Sequence, residues 1–131
     1  AGHPRTASGW PITPESMEWG TRFIWERDGL PSYITENGLS CTDSIHLDGK
    51  VHDPARIDFT HRDLLALRRA IDSGVDVRGY FHWSLLDNFE WSEGYNERFG
   101  LIYLDYATGK RTPKDSAAWY AKVAETNGKN L

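Results

Sequence analysis

The chain has 131 residues and a formal net charge of −4, which argues against a nucleic-acid partner because such a partner requires a basic face. No apolar run approaches the roughly 20 residues that a membrane-spanning helix needs, so we predict no membrane partner. Aromatic residues make up 13% of the chain and include six Trp, whose indole rings stack well on flat apolar ligand faces. The single cysteine leaves no internal disulfide, and this favours a cytoplasmic location.

The first predicted elements are a helix and a strand. Thr13 can cap the helix, and Gly29 ends it. A strand follows at residues 33–35, because Tyr, Ile and Thr suit a pleated, half-buried surface. We assign Tyr33 to the core.

A second helix and strand follow a long polar segment that covers residues 37–58. Asp58 can cap that helix, and apolar residues then recur at helical spacing. The next strand covers residues 77–83, a hairpin covers residues 99–111, and a last helix begins near Thr112.

This order of elements indicates the α/β class. Strands that alternate with helices of this length favour parallel βα units. Only two core strands are visible, however, and a parallel sheet needs more neighbours and covered faces. The missing strands are therefore expected on another polypeptide or on an N-terminal part absent from this sequence.

Glu36 stands directly after the first predicted strand and before an Asn-Gly turn signal. A glutamate in such a place is ordinarily a strand end that meets solvent. In βα architectures, however, catalytic groups gather at the carboxyl ends of parallel strands. The residues after the second strand help to decide whether Glu36 is a solvated strand end or a catalytic group.

The second strand runs into the segment HWSLLDNFEW, which carries Trp83, Glu90 and Trp91. A pyranose has an apolar face that stacks on indole and a rim of hydroxyls that bond to carboxylates. Two aromatic and acidic clusters at adjacent strand ends therefore suggest a carbohydrate site. A nucleophile or base at Glu36 would complete its chemistry.

The segments YITENG and GYFHWSLLDNFEWSEGYNERFGLIYLDY closely resemble glycoside hydrolase family one, the retaining β-glucosidases and their relatives. GWPITPE and RTPKDSAAWY extend the resemblance to nearly the whole chain. It implies that residues 1–131 are the C-terminal segment of a single TIM-barrel glycosidase domain. They would supply strands seven and eight of a (β/α)8 barrel with their flanking helices, and the remainder of the barrel is missing from the chain.

The resemblance implies a role for each of five residues. Glu36 matches the nucleophile that attacks the anomeric carbon, and Trp83 matches the platform under the sugar. Glu90 matches the residue that binds the 4- and 6-hydroxyls, while Trp91 donates its indole N–H to the sugar rim. Phe99 matches a wall beside the 6-hydroxymethyl group. No cofactor is implied.

One catalytic group is absent from the sequence. Retaining hydrolysis uses two carboxyl groups about 5–5.5 Å apart, and the family's acid/base lies in a Thr-Xaa-Asn-Glu-Pro motif that these residues lack. The resemblance therefore implies β-glucosidase activity only with the N-terminal segment of the same barrel as partner. The isolated chain is expected to be inactive.

The expected substrate is an unphosphorylated β-glucoside or short β-linked oligosaccharide, with tolerance of β-galactosides or β-fucosides. The carboxylate of Glu90 would repel a 6-phosphate group. The alternative is a catalytically inactive barrel fragment that acts as a carbohydrate-binding or scaffold protein. Exposed sheet edges would weaken the stability of such a fragment.

Four further residues receive structural interpretations. His82 is predicted to be a packed histidine, and Trp10 to serve loop packing. Asp87 is expected to bond the backbone or a neighbouring Arg, and Asn37 to shape the turn after Glu36. The remaining histidines have no metal-ligand spacing, so we predict no metal site.

Overall fold

The computed structural model describes Gly2 and residues 4–131, so His3, one of the scattered histidines, lies outside the described residues. The elements follow the predicted order of helix, strand, helix, strand, hairpin and helix. Their bounds are α1 Glu15–Asp28, β1 Ser32–Asn37, α2 Pro54–Asp72, β2 Val77–His82, β3 Ile102–Leu104, β4 Arg111–Pro113 and α3 Asp115–Glu125. No helix within the described part of the chain is both long and apolar enough to cross a bilayer.

β1 and β2 pair in parallel and form the central two-stranded sheet. Ile34 pairs with Tyr80 and Asn37 pairs with His82, so three steps along β1 match two steps along β2. The extra residue is a bulge in β1, close to Glu36. β3 and β4 form a separate antiparallel hairpin, as the sequence predicts.

All three α-helices of the described residues begin at places that differ from the prediction. The last helix was predicted to begin near Thr112, but Thr112 lies in β4 and α3 begins at Asp115. α2 begins at Pro54, so Asp58 lies inside the helix and the prediction that it caps the helix is wrong. Proline suits the first helical position, where its missing N–H is not needed. α1 begins at Glu15 after Pro14, and no side-chain hydrogen bond caps it, so Thr13 does not act as its cap.

One face of the sheet is uncovered. Tyr33 is 55% exposed and Phe81 58% exposed, while Ile34 and Tyr80 are half-buried. Successive strand residues point to opposite faces, so the helices cover one face and leave the other open. The assignment of Tyr33 to the core is therefore wrong for this chain.

A cluster of charged side chains, which we call the ion cluster, joins the loops to α2 and α3. Its members are three acids and three bases, Asp43, Asp53, Asp87, Arg56, Lys114 and Arg98. Arg56 of α2 is fully buried, and its Nη2 and Nη1 each lie 2.7 Å from a carboxylate, of Asp43 and Asp53 respectively. Arg56 Nη2 also donates to the carbonyl of Arg98 at 2.7 Å.

Lys114 extends the ion cluster to the residue that precedes α3. Its buried ammonium donates to Asp43 and, at 2.8 Å, to Asp87. Asp53 accepts from the backbone N–H of Ser116 at 2.9 Å and from its hydroxyl at 2.6 Å. The residue before α2 thus satisfies an N–H in the first turn of α3.

His82 is the last residue of β2, and its ring centroid is 5.6 Å from that of Tyr120 of α3. Burial lowers the pKa of His82 to about 4, so the imidazole is neutral at pH 7. The prediction of a packed histidine is confirmed.

Replacing Lys114 tests the ion cluster. Lys114→Met keeps the length of the side chain but leaves Asp43 and Asp87 without this cation, so the free energy of unfolding should fall by about 3–5 kcal/mol. Lys122→Met is the matched control, since Lys122 is exposed and its pair with Glu125 spans 3.3 Å. The control should cost less than about 1 kcal/mol.

The measurement is a urea titration of each purified protein, followed by tryptophan fluorescence. Equal losses for the two variants would show that the buried ammonium is no more important than an exposed one.

Candidate active site

A cavity of about 470 Å³ opens where β1 and β2 end. Glu36, Trp83, Glu90, Trp91 and Phe99 all line it, so the structure brings together the five residues singled out in the sequence. They come from the end of β1 and from the long loop after β2. This placement at the carboxyl ends of parallel strands is the one expected for a catalytic site.

The ends of the two strands touch at Gly38. Trp83 donates its backbone N–H to the carbonyl of Asn37 at 2.9 Å, which continues the sheet beyond β2. A Cβ on Gly38 would lie only 1.8 Å from the carbonyl oxygen of Trp83, so only glycine permits this approach. Glu36 is exposed in the chain and is the next-to-last residue of β1.

Asn37 belongs to β1, so the prediction that it shapes a turn is wrong. Its Nδ2 donates to Asp63 Oδ2 at 2.9 Å, and its Oδ1 accepts from the hydroxyl of Tyr80 at 2.7 Å. Asp63 lies on α2, is buried and lines the cavity. Burial raises the pKa of Asp63 to about 6.

Asp63 is a cavity residue that was not predicted from the sequence. The available signal was an acid directly before Leu64 on the apolar face of the helix, where an ionisable residue is uncommon.

The loop after β2 holds Glu90 and Trp91 at the cavity. Glu90 accepts at Oε2 from Asn88 Nδ2 at 3.3 Å, and its backbone N–H donates to the carbonyl of Gly94 at 2.7 Å. Trp91 has φ 46° and is 82% exposed. Positive φ is unusual for an aromatic residue, and such strain concentrates at functional positions.

Asp87 anchors the same loop. It accepts from the backbone N–H of Gly100 at 2.9 Å and from Arg98 Nη1 at 2.7 Å, which confirms the predicted bonds to backbone and Arg. Phe99 is buried and stands between Arg98 and Gly100 in the sequence. Its carbonyl accepts from Ser84 N at 3.2 Å, so the Phe99 backbone is fixed beside the end of β2.

Trp10 also lines the cavity, and it is 68% exposed. The prediction that it serves loop packing is therefore wrong. Its backbone N–H donates to the hydroxyl of Thr6 at 3.0 Å, within a turn that brings Trp10 to the cavity. Within residues 4–131, no group of three or more His, Cys, Asp or Glu side chains could hold a metal ion.

Comparison with known proteins finds an enzyme family whose members this chain resembles. The sequence pattern of glycosyl hydrolase family 1 matches residues 1–129. Beta-glucosidase A of Thermotoga maritima is 49% identical over 95% of this chain and 28% of its own length. The 6-phospho-beta-galactosidase of Streptococcus equi subsp. zooepidemicus is 45% identical over 94% of this chain and 26% of its own length.

A solved structure of the Thermotoga maritima beta-glucosidase in complex with glucoimidazole superposes with a TM-score of 0.96 at 47% identity. The match covers 98% of this chain and 29% of that chain. The predicted fold, part of a TIM barrel, is confirmed. The chain spans between a quarter and a third of the length of these relatives.

A side chain at Gly38 should separate the two strand ends. In Gly38→Ala the added methyl would overlap the Trp83 carbonyl, so the Trp83 N–H bond to Asn37 should weaken. Hydrogen–deuterium exchange should become faster in peptides that cover residues 32–38 and 77–84. The control is Gly20→Ala in α1, where a Cβ meets nothing within 4 Å, and exchange in these peptides should not change. Unchanged exchange in Gly38→Ala would contradict the proposed steric limit.

Proposed function

The chain belongs to glycosyl hydrolase family 1, and on that premise we propose that it supplies the nucleophile and the sugar-binding part of a retaining β-glucosidase site. The observation that carries the proposal is the convergence of Glu36, Trp83, Glu90, Trp91 and Phe99 on one cavity at two adjacent strand ends. The similarity to Beta-glucosidase A of Thermotoga maritima supports the glucoside as substrate. We further propose that residues 1–131 are the C-terminal segment of a single barrel domain in a cytoplasmic protein.

Glu36 acts as the nucleophile in this proposal. Its carboxylate oxygen forms a bond to the anomeric carbon while the glycosidic C–O bond breaks. The departing oxygen takes a proton from the acid/base residue of the other barrel segment. That residue then removes a proton from water, the water oxygen attacks the anomeric carbon, and Glu36 is released as carboxylate.

The other four residues hold the sugar. Trp83 lies at the end of β2 and offers its indole face to the apolar side of the pyranose. Glu90 accepts hydrogen bonds from the 4- and 6-hydroxyls, and Trp91 donates its indole N–H to the sugar rim. Phe99 forms a wall beside the 6-hydroxymethyl group. These contacts fix the anomeric carbon against Glu36, and such orientation lowers the barrier to the bimolecular step.

The acid/base comes from the rest of the barrel. Of the other acids that line the cavity, Glu90 is assigned to the sugar hydroxyls and Asp63 accepts from Asn37. The exposed faces of Tyr33 and Phe81 fit this interpretation, because the missing strands would cover them. The N-terminal segment is therefore both a structural and a catalytic partner, and the isolated chain is inactive.

The substrate is an unphosphorylated β-glucoside or short β-linked oligosaccharide. Family similarity alone does not distinguish this substrate from a phosphorylated one, since a 6-phospho-beta-galactosidase is 45% identical to this chain. Glu90 supplies the selection, because a carboxylate at the sugar's sixth position repels a phosphate in a partly dry site.

A second candidate is an inactive fragment that only binds carbohydrate. The observation that favours it is that aromatic and acidic side chains suited to a sugar already line one cavity in this chain. A titration of the isolated chain with cellobiose, followed by tryptophan fluorescence, distinguishes the two. Saturable binding by a chain that gives no activity after the rest of the barrel is supplied would favour the binding function.

Replacing the nucleophile gives the sharpest test of the enzyme. In the barrel completed with its N-terminal segment, Glu36→Ala should reduce hydrolysis of an aryl β-glucoside by about 10⁴-fold or more. Added azide should restore turnover and give the α-glucosyl azide, because the small anion attacks from the face that Glu36 leaves empty. The products are identified by NMR spectroscopy.

Glu93→Ala is the matched control, since Glu93 is an exposed acid in the same loop as Glu90. It should hydrolyse the substrate at the unaltered rate, and azide should have no effect. A β-glucosyl azide, or full activity in Glu36→Ala, would contradict the assignment of Glu36.

The proposed role of Glu90 is tested by the substrate selectivity of a variant enzyme. In the completed barrel, Glu90→Gln should lower kcat/KM for 4-nitrophenyl β-glucoside by about 10- to 100-fold, because charge-assisted hydrogen bonds to two hydroxyls are weakened. The ratio of kcat/KM for the 6-phosphoglucoside to that for the glucoside should rise. A ratio that stays constant would show that Glu90 does not face the sixth position.

A further inference from the structure

The side chain of Asn37 connects three elements behind the candidate nucleophile. Its amide nitrogen donates to Asp63 of α2 at 2.9 Å, and its amide oxygen accepts from the hydroxyl of Tyr80 of β2 at 2.7 Å. The two partners fix which end of the amide faces which element, since Asp63 accepts and the Tyr80 hydroxyl donates. We call Asp63, Asn37 and Tyr80 the amide clamp.

The backbone at this point needs such a clamp. The bulge in β1 lies between Ile34 and Asn37, so the regular ladder is interrupted beside Glu36. Bulges re-aim side chains and are frequent next to active sites. Beyond the bulge, the bond from Trp83 N to Asn37 O holds the backbone, and the amide clamp holds the side chain.

Asp63 occupies a costly position. It is buried, and its Oδ1 has no hydrogen-bond partner among the described residues. Burial raises its pKa to about 6, and the negative charge of Glu15 on α1 acts in the same direction. At pH 7 the group is still mostly ionised and offers a charged acceptor to Asn37. A carboxylate that costs stability in a cavity wall points to a functional role.

Glu36 and Asn37 are consecutive residues at the bulged end of β1, so the same short piece of backbone directs both side chains. Asn37 is half-buried and bonds to Asp63 of α2, while Glu36 is exposed, and both residues line the cavity. Holding Asn37 therefore also sets the direction of Glu36.

We propose that Asp63 is a positioning residue that acts through the Asn37 amide, with Tyr80 at its other end, to aim Glu36 at the anomeric carbon. This inference rests on the proposed function, because it assumes that Glu36 is the nucleophile. Asp63 itself does not contact the reacting atoms.

The test uses the complete barrel and 2,4-dinitrophenyl 2-deoxy-2-fluoro-β-glucoside. Glu36 forms the new C–O bond to the anomeric carbon, and the bond to the dinitrophenolate breaks with its electron pair on that leaving group. The leaving group needs no proton, so the rate reports the nucleophile without the acid/base. Absorbance gives the rate, and peptide mass spectrometry gives the labelled residue.

Asp63→Ala removes the acceptor and should lower the maximal labelling rate by about 10- to 100-fold, because a small misplacement of the attacking atom is costly. The dissociation constant for the reagent should stay within about twofold, since the sugar contacts are intact. Asp63→Asn keeps an acceptor oxygen and should recover most of the rate. Tyr80→Phe removes the donor at the other end and should give an intermediate loss.

Asp58→Ala is the matched control, because Asp58 is an exposed acid on the same helix. It should label at the unaltered rate. A wild-type rate in both Asp63→Ala and Tyr80→Phe, with Glu36 labelled, would overturn the positioning role and leave the proposed function intact. An equal loss in Asp63→Asn and Asp63→Ala, or a loss confined to the dissociation constant, would also overturn it. Absence of labelling at Glu36 in the unaltered enzyme would instead overturn the proposed function, and the positioning role with it.

Discussion

The cavity depends on the pairing of buried charges in the ion cluster. The loops after β1 and β2 contain little regular structure, so no extended ladder of backbone hydrogen bonds fixes them. Arg56 and Lys114 instead tie Asp43 of the first loop and Asp87 of the second to α2 and to the start of α3. The cluster contains equal numbers of acids and bases, and each buried charge requires its partners. Directional bonds of this kind specify one arrangement of the loops, whereas apolar contacts alone would tolerate several.

The position of Glu36 is set mainly by backbone contacts. The bulge turns the end of β1, and the close approach of Gly38 to the Trp83 carbonyl limits how far the two strand ends can separate. Asn37 adds a side-chain constraint from the helix side. The proposed nucleophile Glu36 and the proposed stacking residue Trp83 are therefore parts of one rigid junction, and the precision that catalysis needs comes from rigid elements. Glu90 and Trp91, in contrast, lie on a loop that is held by Asn88 and Gly94.

The sequence predicted what is local. The order of the elements, the two parallel strands and the five cavity residues all follow from short motifs, from apolar periodicity and from a family resemblance. Asp63 was missed because its partner Asn37 is 26 positions away in the sequence, and only the fold brings them together. Asp58 was chosen as a helix cap because its neighbours fit the local rule. Asp53, which precedes α2, instead bonds locally to Arg56 and across the fold to Ser116. Tyr33 was predicted to be a core residue because tyrosine favours half-buried positions in strands. The described residues leave its face of the sheet uncovered, so Tyr33 is exposed.

The charges at the cavity indicate what the rest of the barrel has to contribute. The described residues that line it include the acids Glu36, Asp63 and Glu90 but no Lys or Arg. A cavity lined by negatively charged groups suits a transition state in which positive charge develops on the sugar ring. Closing the barrel would exclude water from these acids, so the completing segment would have to bring hydrogen-bond donors or a cation to balance their charge. The proposed partner segment therefore has an electrostatic task in addition to covering Tyr33 and Phe81 and supplying the proton donor.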